Sequence, residues 1–266
     1  LIARRYLKHQ RSLHRAALDR LEEGTPASAE DAEPAPAAWD DRGDEPLPLH
    51  QQRLEAVLEE LHRAGSRRVL DLGCGEGRLL ELLLEDRRFD TITGMDVSFQ
   101  ALERARDRLR LDHLPEQQRD RVMLLHGSLV YRDHRLAGFD AAAVVEVVEH
   151  LDPPRLAAFE RVLFEFAHPG TIVLTTPNRE YNVRYETLPA GKRRHPDHRF
   201  EWTRDEFQAW AAGVAVRRGY AVRHASVGDD DPVVGAPTQM AVFSVGGRQE
   251  TPGAPRDQGP LREEHA

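Results

Sequence analysis

The chain has one cysteine in 266 residues, so it cannot form an internal disulfide bond. A lone thiol, Cys74, is typical of a reducing compartment, and we expect a cytoplasmic protein. There is no run of 18 apolar residues and no apolar centre of a secretory signal, which argues against a membrane partner. Because the chain begins at Leu1 rather than Met, we expect it to be part of a longer protein.

Aromatic residues are few (6%), but the hydrophobic content of 40% is enough for a core. The net charge of −8 is concentrated near one end, since residues 22–45 carry nine acids and one base, whereas residues 1–21 carry six bases and one acid. The overall charge therefore does not describe the folded part. We predict a basic amphipathic helix at 1–23, an acidic Ala/Pro-rich linker at 24–48, a folded domain at 49–245 and a disordered tail at 246–266.

Apolar strands alternate with helical segments through the predicted domain. We expect seven strands, beginning near Arg68, Thr91, Val122, Asp140, Thr171, Tyr220 and Gln239. A helix predicted at 153–167 has Asp152 as its N-cap and Pro153 at its first position. Alternation of this kind predicts an α/β fold with a mostly parallel sheet and helices on both faces.

The first site signal is a glycine-rich turn between a strand and a helix. Gly73 and Gly75 allow the backbone to bend sharply and to approach a ligand closely. Alone, this pattern fits any nucleotide-binding turn. Asp71 ends the preceding strand, where it could hold an ammonium group, and Asp96 closes the next strand, where a carboxylate can accept hydrogen bonds from ribose hydroxyls.

With these two acids, Asp71-Leu-Gly-Cys-Gly-x-Gly resembles the first motifs of class I methyltransferases, which have a Rossmann-like fold. The resemblance implies S-adenosylmethionine as methyl donor, with Ser128 and Leu129 contacting its adenine. The alternatives are a tight turn without a ligand and a dehydrogenase-type dinucleotide fold. The Gly-x-Gly-x-x-Gly spacing of the latter does not occur here.

The second signal follows the fourth strand. Glu146, Glu149 and His150 have i, i+3, i+4 spacing, so that one turn of helix would point them to one side. The carboxyl ends of parallel strands form the ligand crevice in such sheets. Two neighbouring carboxylates repel each other unless something positive lies between them, which suggests a divalent cation. A solvated helix start and the acceptor site of a small-molecule methyltransferase remain alternatives.

Two further motifs make the resemblance specific. The segments Thr176-Pro-Asn-Arg-Glu-Tyr-Asn182 and His195-Pro-Asp-His198-Arg-Phe-Glu-Trp-Thr-Arg204 follow Glu-Val-Val-Glu-His in order. Together they resemble the HUA-enhancer type of 3′-terminal RNA ribose 2′-O-methyltransferases, in particular the C-terminal methyltransferase domain of its bacterial RNA-repair branch. The resemblance implies that one divalent ion, Mg²⁺ or Mn²⁺, is bound by Glu146, Glu149, His150 and His198. His195 is implied to support that site or to contact RNA, and either His150 or His195 is a candidate general base.

The resemblance also implies the reaction and its partners. S-adenosylmethionine would methylate the 2′-hydroxyl of a 3′-terminal ribose with a free 2′,3′-diol, protecting small or repaired RNA ends. An RNA end-healing kinase-phosphatase/ligase is the implied bacterial partner. Seven bases against four acids in residues 178–204 favour phosphate contact, and we select Arg193, Arg194 and Arg199 for it. A small-molecule S-adenosylmethionine-dependent O-methyltransferase and a non-catalytic binding module remain the alternatives.

Overall fold

The computed structural model describes residues 48–246. The basic helix predicted at 1–23 lies outside these residues, as do nearly all of the linker predicted at 24–48 and of the tail predicted at 246–266. These three segments stay predictions. All elements described below lie inside the domain predicted at 49–245.

The centre of the fold is one sheet with the seven expected strands. They are β1 (Arg68–Leu72), β2 (Thr91–Asp96), β3 (Val122–His126), β4 (Ala141–Val145), β5 (Thr171–Pro177), β6 (Tyr220–Val227) and β7 (Thr238–Val245). Their order across the sheet is β3-β2-β1-β4-β5-β7-β6. The first five are parallel, and β7 pairs antiparallel with both β5 and β6. The prediction of a mostly parallel Rossmann-like sheet is confirmed.

Helices cover both faces of the sheet, as expected. Within residues 48–246 the α-helices are α1 (Leu49–Arg63), α2 (Arg78–Glu85), α3 (Phe99–Arg108), α4 (Glu116–Arg119), α5 (Leu156–Arg161) and α6 (Arg204–Arg218). The sheet lies between two hydrophobic cores. Alternate residues of β1 contribute to one core or the other, because successive side chains of a strand point to opposite faces. Val69 packs with α1, α2 and α3, whereas Leu70 packs with α5 and α6.

The predicted helix at 153–167 is composite. A 3-10 turn at Pro153–Arg155 leads into α5, and a π-helical segment follows at Val162–Ala167. Asp152 occupies the N-cap position and Pro153 the next, as predicted, but the Asp152 side chain makes no capping hydrogen bond. Its carboxylate lies instead 3.6 Å from the Arg199 guanidinium.

Sequence analysis missed helix α6, although its start carries a clear signal. Thr203 accepts a hydrogen bond from the Glu206 amide and Glu206 bonds back to the Thr203 amide, which is a capping box. Gly219 ends the helix in the left-handed conformation. Apolar residues on its exposed face, Ala209, Ala212 and Val216, obscured its apolar periodicity. None of the helices within residues 48–246 is long and apolar enough to cross a bilayer.

Candidate active site

The glycine turn after β1 is held against the end of β2. The amides of Gly73 and Cys74 both donate to the Met95 carbonyl, at 2.8 and 3.0 Å, and the Gly75 amide donates to Asp96 Oδ2 at 2.9 Å. Gly73 has φ +81°, and a Cβ there would lie 2.5 Å from Val147 Cγ2. Glycine is therefore required at this position both by conformation and by space.

The two acids predicted to bind the methyl donor flank this turn. Asp71 is only 2% exposed, and burial, assisted by the charge of Asp96, raises its pKa to about 7. Asp96 accepts a second backbone hydrogen bond, from the Ser98 amide at 2.7 Å. Part of the hydrogen-bonding capacity of its carboxylate is therefore used to fix the loop itself. Beyond β3 the chain reaches half-buried Ser128 and buried Leu129. Their adenine contact stays a prediction.

A carboxylate and two imidazoles meet at the carboxyl end of β4. One ligand atom from each of Glu149, His150 and His198 lies within 4.8 Å of the others. Glu149 is completely buried, and the Thr176 hydroxyl donates to its Oε2 at 3.1 Å. Its Oε1 has no hydrogen-bond partner within the described residues. Burial and the neighbouring charge of Glu146 raise the pKa of Glu149 well above its ordinary value.

His198 is oriented by a buried acid that sequence analysis did not assign. Its Nδ1 lies 2.6 Å from Glu201 Oε1, which leaves Nε2 as its ligand atom. Glu201 also accepts from the Arg194 amide at 2.7 Å and from Asn182 Nδ2 at 2.5 Å. Burial opposes ionisation of Glu201, but these hydrogen bonds outweigh it and lower its pKa.

Glu146 is placed differently from the other predicted ligands. It precedes the 3-10 turn Val148–His150 in the left-handed conformation, with φ +55°, so no single helical turn carries all three side chains. Its Oε2 pairs with Arg53 at 3.2 Å, and it is not part of the three-residue cluster. Burial raises the pKa of Glu146, and its Oε1 lacks a partner within the described residues.

His195 lies at the rim of the cluster. Its ring centroid is 6.1 Å from that of His150 and 5.7 Å from that of His198, and its side chain is 56% exposed. Burial and the charges of His198 and His195 lower the pKa of His150, which favours the neutral, proton-accepting form. The structure therefore brings the two candidate general bases together, with His150 inside the cluster and His195 beside it.

Of the three arginines selected for RNA, Arg194 is committed to the protein. Its Nε donates to Asn182 Oδ1 and its Nη1 to the Pro237 carbonyl, both at 2.7 Å, and its Nη2 bonds to the Asn178 carbonyl. Its guanidinium also lies over the Tyr185 ring. These contacts tie Arg194 to the protein, and its contact with phosphate stays a prediction. Arg193 and Arg199 are exposed.

Comparison with known proteins agrees with this geometry. A profile of the methyltransferase domain family matches residues 44–223. The small RNA 2′-O-methyltransferase of Rattus norvegicus is 39% identical over 216 residues, 78% of this chain and 54% of the rat protein. The crystal structure of the methyltransferase domain of bacterial CtHen1-CN is 55% identical with a TM-score of 0.69, covering 74% of this chain and 100% of that one. The chain belongs to the Hen1 methyltransferase family.

Within the Hen1 family, this chain spans about half the length of the rat relative. A chain in the structure titled "Structure of the Pnkp1/Rnl/Hen1 RNA repair complex" is 21% identical with a TM-score of 0.57, covering 74% of this chain and 42% of that one. This likeness shows the fold alone. The family assignment and the class I methyltransferase fold expected from the sequence are both confirmed.

Three residues that support the Hen1 family site carried no recognisable sequence signal. Arg53 comes from α1, far from the motifs, and also bonds to Thr238 on β7 at 2.7 Å. Thr176 and Glu201 lie inside the quoted motifs, but only the fold shows that their side chains reach Glu149 and His198.

Proposed function

We propose that this chain transfers a methyl group from S-adenosylmethionine to the 2′-hydroxyl of the 3′-terminal ribose of RNA, with the help of one divalent ion. The observation that carries the proposal is the completely buried Glu149, one oxygen of which has no hydrogen-bond partner within residues 48–246 and lies beside two imidazoles. A buried carboxylate oxygen without a partner is costly, and a cation would remove that cost.

The donor set fits a divalent ion. Glu149, His150 and His198 would hold it, and the unpaired Oε1 of Glu146 supports Glu146 as a fourth ligand. Mixed oxygen and imidazole ligands favour Mn²⁺ over Mg²⁺, although both are compatible with the site. When bound, the ion would lower the pKa of a ribose hydroxyl and orient it.

The chain's own residues would supply position and charge. Asp71 and Asp96 would hold the amino and ribose groups of the methyl donor at the glycine turn. Thr176 and Glu201 fix the orientations of Glu149 and His198 through the hydrogen bonds described above. Exposed His195 would accept the proton of the attacking hydroxyl, because the acceptor nitrogen of a neutral His150 ring would be occupied by the ion. Methyl transfer in line with the sulfonium then depends mainly on positioning.

RNA as acceptor is supported by the names of the curated relatives, which are small RNA 2′-O-methyltransferases. Only a terminal ribose presents neighbouring free 2′- and 3′-hydroxyls to a metal site. Exposed Arg193 and Arg199, on the segment that carries His198, are suited to phosphate contact. In a bacterial setting, the RNA repair complex that contains Hen1 supports an end-healing kinase-phosphatase/ligase as partner.

The test is methyl transfer with labelled S-adenosylmethionine and Mn²⁺ to RNAs that differ only at the 3′ end. We expect transfer to the 2′,3′-diol, and none to periodate-oxidised, 2′-deoxy or 3′-phosphorylated ends. Excess chelator and Glu149→Gln should each abolish it, whereas Glu186→Gln, an exposed change in the same region, should not. Activity on the periodate-treated RNA, or full activity in chelator, would contradict the proposal. Transfer to a metabolite and to no RNA would favour the small-molecule alternative.

A further inference from the structure

A second concavity lies beside the candidate active site, at the carboxyl end of β5 and the start of α6. Its volume is about 260 Å³, slightly below the roughly 300 Å³ at which drug-sized ligand sites begin. Its lining includes Asn178, Phe207, Gln208, Ser226, Gln239 and Met240. The size suits one planar ring system rather than a whole nucleotide or a peptide.

Counting only the part of the chain that the structure describes, one polar atom of this lining has no hydrogen-bond partner. The Gln239 side-chain amide donates to the carbonyls of Pro177 and Trp202, at 3.1 and 3.0 Å, which fixes which end of the amide is oxygen. Gln239 is only 7% exposed, and its Oε1 is buried without a hydrogen-bond partner among the described residues. A buried acceptor of this kind requires a donor, and the cavity is the space in which one could bind.

The cavity is aligned with the metal-ligand cluster. Thr176 on β5, Gln239 on β7 and Ser226 on β6 are register partners, so their side chains share one face of the sheet in a single row. Thr176 holds Glu149 at one end of the row, and Ser226 is exposed at the other. Neighbouring strands are about 4.8 Å apart, so the cavity begins roughly one strand spacing from the cluster.

Three features therefore follow one another along this edge of the sheet. The glycine turn lies at β1, the acid–imidazole cluster at β4 and β5, and the cavity at β7 and β6. The cavity lies on the side of the cluster away from the methyl-donor turn. A ribose at the cluster would place its own base within one or two strand spacings. Phe207 gives the cavity an apolar floor, and Gln208 and Ser226 give it a polar rim.

We propose that this cavity binds the base of the 3′-terminal nucleotide, with Gln239 Oε1 accepting a hydrogen bond from an N–H group of that base. The inference rests on the proposed function and adds a specificity-determining residue to it. All four RNA bases carry an N–H donor, so Gln239 admits each of them and discriminates against a base that has none.

The first experiment uses the unaltered protein and RNAs that end in adenosine or in purine riboside, which lacks the exocyclic amine. We expect the purine riboside end to raise KM by about 10-fold with little change in kcat, because the buried acceptor is left unpaired. Equal KM values for the two ends would overturn the role of Gln239.

The second experiment fills the cavity. Ser226→Phe should raise KM for RNA ending in adenosine, whereas Ala221→Phe, at an exposed position near the other end of β6, should not. With a 3′-terminal abasic ribose the two variants should be indistinguishable, since no base remains to be excluded. A Ser226→Phe effect that persists on the abasic end would overturn the proposal.

Failure of the proposed function is recognised separately. If no RNA is methylated, the cavity is tested by equilibrium binding of free adenosine to the unaltered protein and to Ser226→Phe, with Ala221→Phe as control. Weaker binding by Ser226→Phe alone supports the cavity as a base site. Equal binding by all three proteins overturns it.

Discussion

Replacing Glu201 by glutamine would remove the negative charge that orients His198 while keeping nearly the same side-chain volume. The Glu201 side chain is fully buried, and its carboxylate receives three hydrogen bonds of 2.5 to 2.7 Å. Because these bonds lower its pKa, Glu201 is ionised at neutral pH. The glutamine carbonyl can still accept from His198, but its NH₂ group then opposes the amide NH₂ of Asn182.

The expected loss can be estimated from these contacts. A hydrogen bond to a charged group contributes about 1.5–3 kcal/mol, and a neutral one about 0.5–1.5 kcal/mol. Loss of the carboxylate partner of a ligating imidazole typically reduces metal affinity 10- to 100-fold. We therefore expect Mn²⁺ to bind Glu201→Gln 10- to 100-fold more weakly, which corresponds to about 1.4–2.8 kcal/mol.

Mn²⁺ binding is measured by electron paramagnetic resonance, and the Mn²⁺ concentration for half-maximal methyl transfer is measured in parallel. The dissociation constant of Mn²⁺ and the half-maximal Mn²⁺ concentration should increase together, with kcat at saturating Mn²⁺ largely restored. Glu186→Gln is the matched control, since Glu186 is exposed and has the same charge. Unchanged Mn²⁺ affinity in a folded Glu201→Gln protein would refute the reasoning that this acid orients a metal-binding histidine.

Three further predictions concern stability. Burial raises the pKa of Asp71 from 3.8 to about 7, so the donor-free folded protein retains a proton that the unfolded chain releases, and its free energy of unfolding falls as pH rises between these values. The free energy of unfolding, measured by urea denaturation, should therefore differ between pH 5 and pH 7 by roughly 2–3 kcal/mol less in Asp71→Asn than in the unaltered protein. An unchanged pH dependence in the variant would contradict this prediction. Gly73→Ala should lower the melting temperature more than Gly191→Ala, since both positions have positive φ but only the first Cβ meets Val147. Arg194→Ala should reduce the free energy of unfolding, measured in urea, by about 3 kcal/mol, because it removes three hydrogen bonds that contribute about 1 kcal/mol each. A loss confined to RNA affinity would instead support its contact with phosphate.

The sequence was most informative where chemistry and local geometry coincide. The strand-turn-helix around Gly73 and Gly75 could be predicted because only glycine permits those backbone angles at that spacing. Glu149, His150 and His198 could be proposed together because their motif order resembles one family, and the fold does bring them within ligand distance. Periodicity also located all seven strands.

Other features depended on contacts between distant segments. The Arg53–Glu146 pair joins residues 93 positions apart, and helical spacing wrongly suggested that Glu146 would share one turn with Glu149 and His150. Arg194 resembled a phosphate-binding side chain because its charge is visible in the sequence. The carbonyls that accept its hydrogen bonds belong to Asn178, just after β5, and Pro237, just before β7, and only folding brings them to it. Local pattern cannot show such partners.

By itself, the sequence determined the fold class and the glycine turn, because these follow from short-range spacing and side-chain chemistry. Its motif order also suggested, through resemblance to one family, the acid and imidazole residues that are proposed as ligands. The tertiary structure alone decided which of them converge, which carboxylate oxygens are left unpaired and which buried acid orients His198. It also placed Gln239 in register with Thr176, next to the cavity proposed to hold a base. Burial makes these contacts consequential, since removal from water raises the cost of every unpaired charge or acceptor.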